Sequence, residues 1–133
     1  MTVSETRVSV RRRDGVAVLD IVGDIDRDAD EPLQDAYDQA VAPGDASGVL
    51  LNFGKVGYIN STGIAVIVGL LARARKERLA ISAYGLTEHY RHIFGITRLS
   101  DFIGIYGDED SAVVGASPAG AGDSARAARG GGE

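Results

Sequence analysis

The stretch Gly57-Tyr58-Ile59-Asn60-Ser61-Thr62-Gly63-Ile64-Ala65-Val66-Ile67-Val68-Gly69-Leu70-Leu71 constrains this chain more than any other, because it joins a buried strand to a helix that is apolar nearly all round. Its polar residues are concentrated at one helix start. Asn, Ser and Thr side chains at that place accept hydrogen bonds from the first free backbone N–H groups, so Asn60 or Ser61 is a natural N-cap. The same N–H groups and the positive end of the helix dipole also stabilise a phosphate carried on Ser61. Local chemistry thus offers two readings, a bare helix cap and a modification switch.

The rest of the chain supplies the elements around that junction. Val8, Val10, Val16, Val18 and Ile21 mark two short strands joined at Asp14-Gly15, a strong hairpin signal. Pro32 opens a helix whose period runs through Leu33, Ala36, Tyr37, Ala40 and Val41 until Pro43-Gly44. Val49-Leu50-Leu51 is continuously apolar and short, as expected of a strand buried on both faces. Residues 61–78 form the longest helix, with Ile64, Ile67, Val68, Leu71 and Ala74 on the expected core stripe. Arg73, Arg75, Lys76 and Arg78 crowd its C-terminal end, where cations complement the dipole. Residues 79–84 read as a strand, Thr87 caps a helix ending at Gly95, and residues 103–106 form a last strand before a short helix. The order β-β-α-β-α-β-α-β-α predicts an α/β fold with a mixed sheet of about five strands and helices packed against it. Ala65, Val66, Gly69, Leu70 and Ala72 fall outside the long helix's core stripe, so either internal burial or a partner protein must cover them.

Composition narrows the function classes. With 133 residues, 44% of them hydrophobic, one domain with a single core is the natural count. The net charge of -5 argues against a general nucleic-acid binder. The chain has no cysteine, which removes disulfides, cysteine-based zinc sites and thiol catalysis. No long apolar run marks a signal peptide or a membrane span, so a cytoplasmic location without membrane contact is expected. Residues 115–133, rich in Gly, Ala and Ser, carry no periodic apolar face and are expected to be a flexible tail behind a domain spanning 1–114.

Other constellations are weaker. Asp24, Asp26, Asp28 and Asp30 alternate like a calcium loop, but Ala29 stands where that loop needs Gly and Asp35 replaces its bidentate Glu. His89 and His92 lie three apart on one helix without a third ligand, so no metal is expected. Gly54 and Gly57 lack the Gly-Lys-Ser/Thr continuation of a phosphate loop, and Ser61 lacks a nucleophile elbow, so neither a cofactor nor hydrolase chemistry is implied. Arg11-Arg12-Arg13 reads as a solvated edge strand.

Four motifs in order resemble the STAS domain of anti-sigma factor antagonists. Gly23-Asp24-Ile25-Asp26 matches the family's Gly-Glu-Leu-Asp type turn, and Leu50-Leu51-Asn52-Phe53 ends its central strand. Ile59-Asn60-Ser61-Thr62-Gly63-Ile64 stands where the family usually reads Asp-Ser-Ser-Gly-Leu. Tyr90, Ile93, Phe94, the run Gly95-Ile96-Thr97-Arg98-Leu99 and Phe102 look like its last helices and strand. The resemblance covers about residues 7–114 and implies a non-enzymatic regulator working by partner switching. The unmodified domain would bind an anti-sigma factor that is also a serine kinase, releasing a sigma factor. Phosphorylation at Ser61, or less favourably Thr62, would switch it off, and a serine phosphatase would reverse the mark. The partner surface implied by the resemblance comprises Asp24, Asp26, Asn60, Ser61, Thr62, Gly63, Ala65, Val66 and Gly69. Asn60 stands where the family usually has Asp, and Asn52 replaces another position that is often acidic. STAS domains also serve as accessory subunits that bind an ATPase of a lipid transporter, or as nucleotide sensors, and both remain alternatives.

Overall fold

In the computed structural model, which describes residues 6–116, Asp14 and Gly15 both take positive φ (53° and 82°). That is the backbone a two-residue hairpin loop needs to match the twist of its strands. It joins β1 (Arg7–Arg13) to β2 (Val16–Ile25) in an antiparallel ladder pairing Arg13 with Val16 and Arg7 with Val22. Every later strand is parallel to its neighbour, and each is reached through a helix: α1 (Asp30–Val41) leads to β3 (Gly48–Ile59), α2 (Ser61–Lys76) to β4 (Ala80–Tyr84), and α3 (Glu88–Ile96) to β5 (Gly104–Tyr106). The strands lie in the order β1-β2-β3-β4-β5, and α4 (Glu109–Ala116) closes the described chain. The expected order of elements and mixed five-stranded sheet are therefore present.

Alternation along the strands divides the interior in two. Ala17, Leu19 and Ile21 of β2 and Val49, Leu51 and Phe53 of β3 face a main core shared with α1, α2 and α3. Val16, Val18 and Leu50 face the other way, onto Ala112 and Val113 of α4. Parallel strands covered on both faces read as continuous apolar runs, which is why Val49-Leu50-Leu51 looks unbroken in the sequence.

Three expectations need correction. β3, expected to end at Phe53, runs six residues further, through Gly54, Lys55 and Gly57; register shifts against β2 between Asp20 and Val22 and between Gly23 and Ile25 absorb the extra residues. The buried seam of α2 is Gly63, Val66, Ile67, Leu70, Leu71 and Ala74, whereas Val68 is 43% exposed. The helix is rolled toward α1, where Arg73 reaches Gln34 at 2.8 Å and pairs with Asp38, so Val66 and Leu70 turn inward and Val68 outward. Lastly, α4 continues through Gly115 and Ala116, two residues into the stretch expected to be tail. A Cβ on Gly115 would lie 2.1 Å from the Tyr106 hydroxyl, so this glycine serves close packing. The rest of that stretch, 117–133, lies outside the described residues.

Candidate functional site

The start of α2 is fixed from three directions. Asn60, in extended backbone (φ -94°, ψ -178°), is the N-cap, and its Oδ1 accepts from the Gly63 N–H at 2.8 Å. Its own N–H donates to the Ile25 carbonyl at the end of β2 (3.2 Å). One residue earlier, the Ile59 N–H donates to the buried Tyr90 hydroxyl on α3 at 3.0 Å. Gly63 closes the assembly, because a Cβ there would lie 1.9 Å from the Ile25 carbonyl oxygen. The first turn of α2 therefore presses on the end of β2 with no room for a side chain.

This division of labour leaves Ser61 free. Asn60 takes the capping role, while Ser61 and Thr62 are exposed and their hydroxyls make no hydrogen bond among the described residues. The N–H groups of Ser61 and Thr62 likewise find no acceptor there. An anion on Ser61 would meet unpaired donors and the positive helix end. Asn60 preserves the cap that an Asp would form, without adding a negative charge beside Ser61.

The family-like motif Gly23-Asp24-Ile25-Asp26, read as a turn in the sequence, forms the end of β2 up to Ile25 and lies beside this loop. Asp24 is half-buried, its carbonyl accepts from the Thr6 hydroxyl, and its carboxylate would lie 2.9 Å from a Cβ on Gly57. Asp26 Oδ1 accepts from the Asp28 N–H (2.9 Å), capping the 3₁₀ turn Arg27–Ala29 that packs against α2. Asp24, Asp26, Asn60, Ser61, Thr62 and Gly63 thus gather at one end of the sheet, and Ala65 and Gly69 continue outward along α2. Val66 is the exception. At 9% exposure within the main core, it supports the surface from beneath and offers a partner almost nothing. Gly63 is also buried and acts by allowing close approach.

Two features were missed by reading the sequence. Tyr90 reaches the loop before α2 only through the fold, since 31 residues separate it from Ile59. The arginines of β1 are more than a solvated edge. Arg11 pairs with Asp20 (2.6 Å) and Glu109 (2.6 Å), and Arg13 pairs with Glu109 (2.9 Å) and Asp110. Tyr84 donates to Glu109 at 2.5 Å, and Asn52 donates to Asp20 at 2.7 Å. The Arg11 guanidinium first, and the Tyr84 hydroxyl second, hold the Glu109 carboxyl well below the usual range, whereas burial and then the bond to Glu109 push Tyr84 up to about 12. The network ties α4 to the second face of the sheet. Asn52, at a position often acidic in the family, is a donor to Asp20 here, which a second carboxylate would repel.

Among the described residues, no group of acidic or histidine side chains is arranged to hold a metal, including the Asp24 to Asp30 series, and no helix is long and apolar enough to cross a membrane.

Comparison with known proteins agrees with this architecture. An anti-sigma factor antagonist from Mycobacterium paratuberculosis superposes with a TM-score of 0.69 at 20% identity, covering 85% of this chain and 95% of that one. The phosphorylated form of the Bacillus cell fate determinant SpoIIAA gives 0.59 at 15% identity, covering 78% and 95%. An RsbS variant from Moorella thermoacetica gives 0.64 at 11% identity, covering 80% and 92%. At these identities the likeness is one of fold. No curated protein sequence matches the chain. The family profile described as "Mlab, STAS domain" matches residues 8–105, most of the chain, and on that match the chain belongs to the STAS domain family.

Proposed function

We propose that this chain is an anti-sigma factor antagonist that binds an anti-sigma factor serine kinase and is switched off by phosphorylation of Ser61. The observation that carries the reading is the separation of roles at the head of α2: Asn60 caps the helix, so Ser61 is exposed and structurally unemployed beside an apolar face. The anti-sigma factor antagonists among the structural neighbours, one of them a phosphorylated form, support it. A phosphate adds about -1.5 to -2 charges, tolerated by the helix terminus but unfavourable once a partner removes water from the surface. Nucleotide and magnesium would belong to the kinase, this chain being its substrate, and a serine phosphatase would restore binding. Thr62 is the less favoured acceptor.

The test is capture of partners from native lysate by the tagged full chain, with and without ATP, followed by mass spectrometry of both bait and prey. We expect a serine kinase to be retained, one phosphate on the Ser61 peptide, and none on Ser61→Ala. Ser61→Asp should retain the kinase more weakly than Ser61→Ala does. Equal retention by the two variants, or phosphate confined to Thr62, would overturn the assignment. Recovery of an ATPase subunit without a serine kinase would select the lipid-transporter alternative, and direct binding of labelled nucleotide to the isolated chain would select the sensor.

A further inference from the structure

The outward face of α2 has an electrostatic pattern that the switch does not require. Its middle is apolar and small, with Ala65, Val68, Gly69 and Ala72 exposed and nothing within 4 Å of where a Cβ on Gly69 would stand. Phe102, 54% exposed, flanks it with its ring 5.2 Å from the Arg75 guanidinium. Arg11, Arg13, Arg73 and Arg98 are paired internally. Arg75 and Lys76, at the C-terminal end of this face, form no ion pair among the described residues; beside its N-terminal end neither do Asp26 and Asp28, nor Arg27 between them, which leaves a net negative charge there. One open helix face therefore ends in unneutralised negative charge on one side and unneutralised positive charge on the other.

A surface of that polarity complements itself when turned end for end. We propose that a second copy of this chain docks on it, α2 against α2 and antiparallel about a two-fold axis. In this register Ser61 faces the second copy's Lys76, Ala65 faces Ala72, and Val68 faces Gly69. The small residues let the helix axes approach to about 8 Å. The 16 residues of α2 span about 24 Å, enough to separate the two charged ends. Charge at the ends sets the direction, and burial of Val68, Ala72 and Phe102 supplies the apolar contact. Self-association would occupy the face proposed for the kinase, yet it needs neither kinase nor phosphate and is measured on the chain alone.

Sedimentation equilibrium on the full chain at rising concentration tests it. We expect the average mass to climb from that of one chain toward two, and Gly69→Arg, with an unchanged circular dichroism spectrum, to remain a monomer. Lys76→Glu should weaken association by about tenfold or more. Ser61→Asp should tighten it, the opposite of its expected effect on kinase binding, and that gain should vanish in a Lys76→Glu background. A monomer at every concentration, a dimer indifferent to Gly69→Arg, or a Ser61→Asp variant that associates less than the wild type would each overturn the proposal.

Discussion

At the scale of single residues, Asn60, Ser61 and Gly63 are neighbours with separable jobs. Asn60→Ala removes the side chain that accepts from the Gly63 N–H and should cost about 0.5–2 kcal/mol in urea unfolding. Ser61→Ala removes no hydrogen bond and should fall within about 0.5 kcal/mol of the wild type. A loss at Ser61 as large as that at Asn60 would show that the serine also caps. Gly63→Ala adds a single methyl, but one 1.9 Å from the Ile25 carbonyl oxygen, so strand and helix must separate. We expect at least about 1–3 kcal/mol of destabilisation, with larger residues worse. A stable Gly63→Ala protein would mean that the first turn of α2 does not bear on β2. The sequence shows that Gly63 begins a helix; that it is a contact point requires the position of Ile25.

At the scale of elements, helix ends and the α4 clamp are the informative features. Arg78, just past α2, is held at φ 62°, a left-handed conformation that costs an ordinary residue about 1–2 kcal/mol. Arg78→Gly relieves that strain, offset by the greater entropy of glycine in the unfolded chain, and should raise stability by up to about 1 kcal/mol. An unchanged or lower denaturation midpoint would count against it. The α4 clamp makes a prediction about pH. The Glu109 carboxyl is held low in the folded state by Arg11, Tyr84 and Arg13, so its stabilising effect is full above its ordinary value of 4.5 and is lost as pH falls through the depressed folded value. Stability from this network should be flat between neutral pH and about 5 and decline in stronger acid, and Glu109→Gln should flatten that decline. Identical acid titrations of the two proteins would dissociate Glu109 from acid stability. Because these pairs are partly exposed, each contributes modestly, and added salt should loosen α4 before the main core, read as faster amide exchange in residues 109–116.

At the scale of the whole molecule, the two faces of the sheet differ in what closes them. Among the described residues, the main face is covered by three crossover helices and the second by α4 alone, through Ala112 and Val113. Residues 117–133 carry no periodic apolar face, so deleting them should leave the thermal midpoint unchanged. Extending the deletion to residue 109 uncovers Val16, Val18 and Leu50, all fully buried, and should cost about 3 kcal/mol or more. A truncated chain as stable as the intact one would show that the second face tolerates water.

Strand alternation, the Asp14-Gly15 hairpin, the cap at Thr87, a cap at Asn60 or Ser61 and the order of elements are properties of neighbouring residues, so the sequence alone determined the mixed sheet and located the head of α2, and the structure chose Asn60 as its cap. The bounds of β3 escaped it, because the apolar run stops at Phe53 while the strand is carried on by pairing, with register shifts, against β2. Which stripe of α2 is buried also escaped it. The helix is apolar nearly all round, periodicity does not choose among its faces, and the choice fell to its packing against α1, which buried Val66 and exposed Val68. Tertiary structure likewise brought Tyr90 to Ile59 and Glu109 to Arg11 and Arg13, contacts spanning 31 to 98 residues. Local propensity fixes what each segment becomes; only packing decides which of its surfaces remain for a partner.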